Sequence, residues 1–559
     1  MVKNPANITS FKLSRPGSPS SPAAPKRIRG DGAAQTAVRS FVYFCRMANQ
    51  EDQLKNLVSH AKSYGYVFPS SEIYDGLGAV YDYGPNGVAL KKKLKAYWWK
   101  AMVQLKPEIE GLDSAIFMHP TTWEASGHLE AFSDPLIENR DSKKRYRADT
   151  LVEDYAAKLE EKINSACAKA AKRFGTAFDK AHYQATHPGV KQCVEQRDRA
   201  LEQMNHALEK RDFKALRDLI LELGITDPVS GSKNWTDVRQ FNLMFDTRLG
   251  ASQDTATEIY LRPETAQGIF VNFLNVQKSA RQKLPFGIAQ IGKAFRNEII
   301  ARQFLFRMRE FEQMEMQYFV APGAAAAHYE AWREKRMRWH HSLGLGEAYY
   351  RFHDHAKLAH YATAACDIEF RFPFGFKELE GIHSRGDFDL KRHQDFSGKK
   401  LQFFDPGRKA RYVPHVIETS LGLDRLFLAV LSASLKEEKL ENGSTRTLLS
   451  LPHALAPIQA ALLPLVKKDG LPERARQLFD ALKYDFELAL DEKDAIGRRY
   501  RRQDALGTPY CITIDHDSLQ DRKATVRNRD TMEQSRIPMD KIADYLQERV
   551  SLKSYLKKL

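Results

Sequence analysis

Apolar residues along this chain change their spacing several times, and each change marks a change of expected structure. From Gln53 to Ser63 they recur with helical period. A stretch punctuated by Gly76, Gly78, Gly84 and Gly87 follows, and then a long helical pattern from Val88 onward that carries Tyr97, Trp98 and Trp99. Aromatic residues on such a helix more often pack against a core or a second subunit than hold a ligand. Residues 150–222 are charged and Ala/Leu-rich, without β-rich runs and with a break at His187-Pro188-Gly189, which predicts a helical insertion. Between Arg239 and Leu435 the pattern becomes β-rich, with runs at Phe286–Phe295, Met308–Val320 and Val413–Thr419. An antiparallel sheet is the expected centre.

A charged stretch, Lys436 to Arg446, precedes a segment in which strand-like runs at 457–465, 510–515 and 524–527 alternate with helical patterns near 472–489 and 540–550. That alternation predicts a separate C-terminal α/β domain. The reading is therefore α+β. It comprises a leader (1–46), a body (47–445) containing the 150–222 insertion, and a C-terminal domain (446–559). No internal repeat is present.

Composition changes this picture in three places. No window reaches the roughly 18 uncharged apolar residues that a membrane span needs, so no membrane partner is expected. The five cysteines, Cys45, Cys167, Cys193, Cys366 and Cys511, are widely spaced without a C-x-x-C pair, which suits a reducing compartment and disfavours a disulfide scaffold or a zinc knuckle. Of the formal charge of +15, about half arises in residues 1–46, where eight Lys/Arg stand against Asp31 alone. That leader is rich in Ser, Pro and Ala and reads as disordered. Its Arg-rich, acid-poor composition also fits an organelle transit peptide. Met47-Ala-Asn-Gln-Glu-Asp, however, fits the start of a cytoplasmic protein, and a dispensable or misassigned leader is the preferred reading. The remaining charge permits RNA binding without establishing it.

Candidate chemistry gathers on three predicted strands. Ile288–Glu298 and Arg307–Glu315 read as a hairpin with a short loop. Strand alternation would put Arg296 with Glu298 on one face, and Arg307, Arg309, Phe311, Gln313 and Glu315 on one face of the second strand. Such a surface can clamp a phosphate with Arg296, stack a base on Phe311 and hold an amine with Glu315. Taken alone, such Arg/Glu alternation is more often a solvated salt-bridge face than a ligand site. The third strand, Tyr412–Ser420, puts Glu418 and Ser420 on one face. It leads through Gly422 into a helix whose first turn holds Arg425, where free N–H groups and the dipole favour a terminal phosphate. Asp424 in that turn reads as a cap.

Together, Phe-Arg-x-Glu298, Arg307-x-x-x-Phe311 and Gly422-x-Asp-Arg425 resemble motifs 2 and 3 of the class II aminoacyl-tRNA synthetases, and Asp82-Tyr-Gly-Pro85-Asn-Gly87 resembles motif 1, whose family role is the dimer interface. Class I signatures and a G-x-x-x-x-G-K-[ST] phosphate loop are absent. Trp123-Glu-Ala-Ser-Gly-His128, Arg145-Tyr-Arg147-Ala-Asp149, Arg262-Pro-Glu264-Thr-Ala-Gln-Gly268, Glu378-Leu-Glu-Gly381 and Ile417-Glu-Thr-Ser420 resemble the glycyl enzymes of that class. The C-terminal segment, with Gly497-Arg-Arg-Tyr500 and Thr525-Val-Arg527, is similar to the subgroup IIa anticodon-binding domain.

The resemblance implies a homodimeric, cytoplasmic glycine–tRNA ligase acting on glycine, ATP with its Mg²⁺, and tRNA-Gly, with diadenosine tetraphosphate as a side product. It implies ATP contacts from Arg296, Asn297, Glu298, Arg307, Met308, Phe311, Glu378, Leu379, Gly422 and Arg425, of which Arg296 and Arg425 are catalytic. It implies a glycine pocket of Arg147, Glu264, Phe311, Glu315, Glu418, Thr419 and Ser420, with Arg385 in support. Many relatives carry two cysteine pairs where this chain has Asn139 and Ser142, then Asp227 and Ser230. Such oxygen side chains make a poor tetrahedral zinc site, so no structural zinc and no protein-held metal is expected. A synthetase for threonine, proline or histidine and a silent RNA-binding paralogue are the rival readings.

Overall fold

The protein is described by a computed structural model over residues 52–175, 178–251, 256–299, 303–356, 358–359, 361–439 and 443–559. The leader 1–46 lies outside the described residues. Seven strands make the central sheet: β1 (Ile109–Gly111), β2 (Phe286–Phe295), β3 (Glu310–Val320), β4 (Tyr350–Asp354), β5 (Ala364–Phe372), β6 (Gly375–Gly386) and β7 (His415–Gly422). They are ordered β4-β5-β6-β7-β3-β2-β1 and run antiparallel, except that the short β1 is parallel to β2.

The longer helices of the body are α1 (52–63), α2 (Pro85–Trp99), α3 (Ala148–Phe174), α4 (Pro188–Glu209), α5 (Phe213–Glu222), α6 (Ala325–Ser342), α7 (Phe388–Ser397) and α8 (Leu423–Ser434). Strand alternation divides the sheet into two unlike faces. On one, Met314, Met316, Ile368, Ile417 and Leu421 are buried with residues of α2, α6 and α8 in the largest core. Tyr97 and Trp98 of α2 are wholly buried there, with Tyr97 stacked on Trp339 at 5.3 Å, so these aromatics are packing residues. On the other face Phe286, Ile288, Phe319 and Val416 are covered at one end by Phe270, Phe273 and Leu390. Beside that apolar end lies a polar strip, Gln290, Gln313, Glu315, Gln317, Glu418 and Ser420, in which Glu315 stands opposite both Gln290 and Ser420, and Gln317 opposite Glu418.

Several boundaries depart from the sequence reading. Helix α2 begins at Pro85, not Val88, because proline at the first helical position has its φ preset and loses no helical hydrogen bond. The predicted hairpin strands stop at Phe295 and resume at Glu310, so Arg296 and Arg307 lie in a long connection holding a 3₁₀ turn, Phe304–Phe306. The third strand starts at His415 because Pro414 has no N–H to donate. The stretch Lys436 to Arg446 falls largely within an antiparallel pair, Leu435–Lys439 with Thr445–Leu449.

Helices α3, α4 and α5 pack through Leu151, Val152, Met204, Leu216 and Ile220, as a helical insertion should. Beside them a sheet of Ser133–Glu138, Arg145–Arg147 and Arg239–Asn242 escaped the periodicity reading, its strands being too short to show a period. The C-terminal sheet is β8 (Ala460–Pro464), β9 (Leu488–Leu490), β10 (Tyr510–Ile514), β11 (Lys523–Asn528) and β12 (Gln534–Pro538), ordered β9-β8-β10-β11-β12. With α9 (Leu471–Leu482), α10 (Ile496–Leu506) and α11 (Ile542–Val550) it has the expected α/β character. Strands β9 and β12 and helix α10 were not predicted.

Candidate active site

The polar strip opens into a cleft at the end of β2, β3 and β7. Arg296, Glu298, Arg307, Met308, Phe311, Glu378, Ser420, Gly422 and Arg425 all line it. The Arg296 guanidinium donates to the Pro263 carbonyl at 3.1 Å and lies 5.2 Å from the Phe311 ring and 5.4 Å from that of Phe132. Arg425 occupies the first turn of α8, pairs with Glu378 at 2.9 Å and lies 4.4 Å from the Phe306 ring. Arg307 approaches Glu298 at 3.8 Å. Two arginines lining one cleft with the Phe311 ring suit a flat base carrying a chain of phosphates.

Deeper in the strip, three glutamates from separate segments converge. Glu315 and Glu418 are only 2% and 4% exposed. Gln317 bridges them, donating to Glu315 at 2.8 Å and to Glu418 at 2.7 Å. Thr265 donates its hydroxyl to the other Glu315 oxygen. Glu418 also accepts from Arg385 at 2.8 Å and from His383 at 2.7 Å, and Arg385 is locked to Asp389 by two bonds of 2.8 and 2.9 Å. Glu264 accepts from Gln267 at 2.9 Å and lies 3.5 Å from His128. Gln313 reaches Ser420 at 3.1 Å.

These partners divide the carboxyls electrically. Burial alone would raise the Glu418 carboxyl, but Arg385 and His383 outweigh it and hold it at about 2. Burial likewise opposes ionisation of Glu264, yet His128 and Arg385 hold that group below the ordinary carboxylate range. Among the described residues no cation contacts Glu315. Burial, then the charges of Glu418 and Glu264, push it well above the ordinary range. Three carboxyls converging beside the cleft favour a cation there.

Some expected site residues lie elsewhere. Thr419 alternates to the helix-covered face, where its side chain is fully buried against Met316 and Ile382, so it cannot reach the pocket that Glu418 and Ser420 face. Leu379 is the extra residue of a bulge opposite Ile368 and Glu369, and its side chain fills the helix-side core. The Arg147 guanidinium is taken by Asp134 at 2.9 Å and Asp149 at 2.7 Å instead of by the glutamates. Asn297 is anchored through its backbone N–H to the Leu243 carbonyl and is not a cleft-lining side chain. Asp424 is no cap, since Gly422 holds the N-cap position, and it is buried with partners on other elements.

Sequence reasoning missed His128, Thr265, Gln267, Gln317 and His383 as members of the network. Gln317 was detectable, since it follows the alternation of a recognised strand, whereas His383 lies on Gly375–Gly386, a strand the sequence reading did not identify. Among the described residues no group of three or more His, Cys, Asp or Glu could hold a metal ion. The four oxygen-bearing positions near the insertion do meet. Asp227 accepts from Ser230 Oγ at 2.5 Å and from the Tyr146 hydroxyl, and Asn139 Oδ1 accepts from the Ser142 N–H at 3.2 Å and from Ser230 Oγ at 3.5 Å.

Three family models match the chain. They are glycyl-tRNA synthetase insertion domain 1 over residues 134–243, the class II tRNA synthetase core domain (G, H, P, S and T) over 245–434, and an anticodon binding domain over 459–549. The chain is 49% identical over 494 residues to the glycine–tRNA ligase of Chlorobaculum tepidum, covering 88% of this chain and 99% of that protein. It is 47% identical over 502 residues to that of Macrococcus caseolyticus, covering 89% and 99%. The Geobacillus kaustophilus protein of the same name is 47% identical over 500 residues, covering 89% of this chain and 99% of that one.

Proposed function

This chain belongs to the glycine–tRNA ligases of the class II aminoacyl-tRNA synthetases, and on that footing we propose how its own residues carry out the reaction. The observation that carries the proposal is the convergence of Glu264, Glu315 and Glu418 beside a cleft lined by Arg296, Phe311 and Arg425. Glycine has no side chain to grasp, so it must be held by its ammonium and carboxylate. The glutamates and Ser420 hold the ammonium with charge-assisted bonds, while the narrow wall formed by the Gln313 and Gln317 side chains excludes a larger amino acid by overlap. Adenine stacks on Phe311, Arg296 stabilises the α-phosphate, and Arg425 leaves Glu378 to take the γ-phosphate. Glu298, Arg307, Met308 and Gly422 frame the nucleotide.

Mg²⁺ entering with ATP would neutralise charge along the polyphosphate, and the half-exposed carboxylate of Glu378 would be the residue to hold it. The glycine carboxylate attacks the α-phosphorus and expels diphosphate. The terminal ribose hydroxyl of tRNA-Gly then attacks the adenylate carbonyl and expels AMP. Neither step uses a protein nucleophile, so the protein contributes position and charge. Attack of a second ATP's γ-phosphate oxygen on the adenylate phosphorus expels glycine as its carboxylate and gives diadenosine tetraphosphate.

The proposal extends to the assembly. The exposed side chains Ile73, Tyr74, Leu77 and Val88 at the start of the motif 1-like region support a homodimer contact there. We assign residues 47–445 to the catalytic body with the 150–222 insertion, and 446–559 to anticodon binding. The free cysteines Cys167, Cys193, Cys366 and Cys511 suit the cytoplasm, and no described helix is long and apolar enough to cross a membrane. The three-glutamate pocket favours glycine over proline. Retention of Arg296, Phe311 and Arg425 around one cleft favours an active enzyme over a silent paralogue. Arg296→Ala is expected to abolish glycine-dependent ATP–pyrophosphate exchange while leaving the fold intact. Near-normal exchange in that variant would overturn the assignment.

A further inference from the structure

Helix α2 lies outside the substrate pocket, yet one of its side chains reaches the residues that frame the nucleotide. Lys91 is buried, with its side chain only 10% exposed. Its ammonium lies 2.7 Å from Glu312 Oε2 and 2.9 Å from Asp424 Oδ1. Asp424 also accepts the Glu312 backbone N–H at 2.7 Å and the Tyr83 hydroxyl, and the Lys91 ammonium lies 3.9 Å from the centre of the Tyr83 ring. Three segments distant in sequence are thereby tied at one point: the start of α2, strand β3 and the first turn of α8.

The position of the two carboxylates gives this knot a purpose beyond stability. Glu312 directly follows Phe311, and Asp424 directly precedes Arg425. Both residues contribute to the lining of the nucleotide cleft, while their carboxylates turn behind it to Lys91 on the helix-covered face. Left unpaired just behind that wall, two carboxylates would weaken the binding of a polyphosphate in front of it. They would also repel each other and splay the turn that carries Arg425. Burial works against the Lys91 charge, but Asp424 and Glu312 outweigh it and keep the ammonium protonated above its ordinary range. Lys95 adds a second, more exposed contact to Glu312 at 3.0 Å.

We propose that Lys91 is a positioning residue for ATP: by joining Glu312 to Asp424 it neutralises both carboxylates and fixes Phe311 and Arg425 on either side of the nucleotide. The inference rests on the ATP-dependent reading above. It is specific to the nucleotide half of the cleft, because the contacts of Lys91 go to Glu312, Asp424 and Tyr83 and not to Glu264, Glu315 or Glu418.

The test is steady-state glycine-dependent ATP–pyrophosphate exchange in the full chain. Lys91→Met is expected to raise the KM for ATP at least about tenfold while the KM for glycine stays within about twofold. Lys91→Arg should restore the ATP value to within about threefold of the parent. The doubly neutral Lys91→Met/Glu312→Gln should recover part of the loss, because it removes a repelling charge, whereas a merely structural contact would be weakened further. An unchanged ATP KM in Lys91→Met, or a parallel rise in the glycine KM, would overturn the inference. If thermal melting shows that Lys91→Met does not fold, the double variant carries the test: an ATP KM within about threefold of the parent supports the inference and a larger rise overturns it. Absence of glycine-dependent exchange in the parent would instead contradict the function proposed for the site.

Discussion

Glu315 is the residue at which the pocket's chemistry is most exposed to experiment. Glu418 is bonded to Arg385 and Glu264 lies near His128, whereas among the described residues Glu315 accepts from the neutral Thr265 and Gln317. Its raised affinity for a proton means that the empty folded protein retains a proton that the unfolded chain releases. The stability it contributes is therefore complete below the ordinary carboxylate pKa and is lost as pH rises through the raised value. A glycine ammonium reverses this by favouring the ionised form, so glycine should raise the melting temperature more at about pH 8 than at about pH 6. Glu315→Gln should melt higher than the parent at alkaline pH without glycine, and its kcat/KM for glycine should fall about 10–100-fold. A parent-like kcat/KM would contradict the pocket. Strand alternation in the sequence put Glu418 with Ser420, and Gln313 with Glu315, on shared faces. It could not show which carboxylate would be left without a cation, because Arg385, His383 and His128 arrive from other segments. The same alternation should have excluded Thr419, an odd-numbered neighbour of two even-numbered pocket residues. Resemblance to relatives does not distinguish a side-chain contact from a backbone one.

At the scale of elements, the sheet was legible because β2 and β3 are long and buried, whereas the segments between them were not. Arg296 and Arg307 were read as strand residues, and their real place in a connection depends on the Phe304–Phe306 turn, which has no periodic signal. Helix α2 was legible from its apolar spacing, but the packing of its first turn against a neighbouring backbone was not. A Cβ at Gly87 would lie 1.9 Å from the Tyr66 carbonyl oxygen, so only glycine lets the helix lie there. Gly87→Ala should cost about 1–3 kcal/mol in denaturant unfolding, and it should raise the ATP KM through displacement of Lys91. An unfolding midpoint equal to that of the parent would refute the contact. Near the insertion, Asp227 takes the part of a knot. Burial opposes its ionisation, but bonds from Ser230 and Tyr146 hold it below the ordinary range, so its stabilisation is present above the ordinary carboxylate pKa and fades as pH falls. Asp227→Ala should destabilise by about 1–3 kcal/mol, and exhaustive dialysis against a zinc chelator should leave melting and activity unchanged. Loss of activity on chelation, restored by zinc, would contradict a metal-free knot.

Across the whole molecule, the C-terminal domain is tied to the catalytic body by more than the chain that joins them. Lys93, two residues from Lys91 on α2, donates to the Ala456 carbonyl at 2.6 Å and pairs with Glu487 at 2.8 Å, and the Tyr66 hydroxyl donates to the Leu506 carbonyl at 2.8 Å. Within the C-terminal domain itself, buried Arg446 joins Asp504 at 3.0 Å, and Arg527 joins the same carboxylate at 2.7 Å. None of these ties could be read from the sequence, since a lysine or arginine on a helix or hairpin more often meets solvent than a partner hundreds of residues away. The class of enzyme was legible because three short motifs occur in order, and their residues do meet around one cleft. Glycine as the amino acid rested on resemblance, and the convergence of three glutamates now supplies a physical reason for it. The most direct test of that reason is ATP–pyrophosphate exchange by the purified chain with each standard amino acid in turn. Exchange with glycine, and with alanine, serine, threonine and proline reduced at least about 100-fold, is the predicted result. Exchange driven by one of those others, or by none, would contradict it.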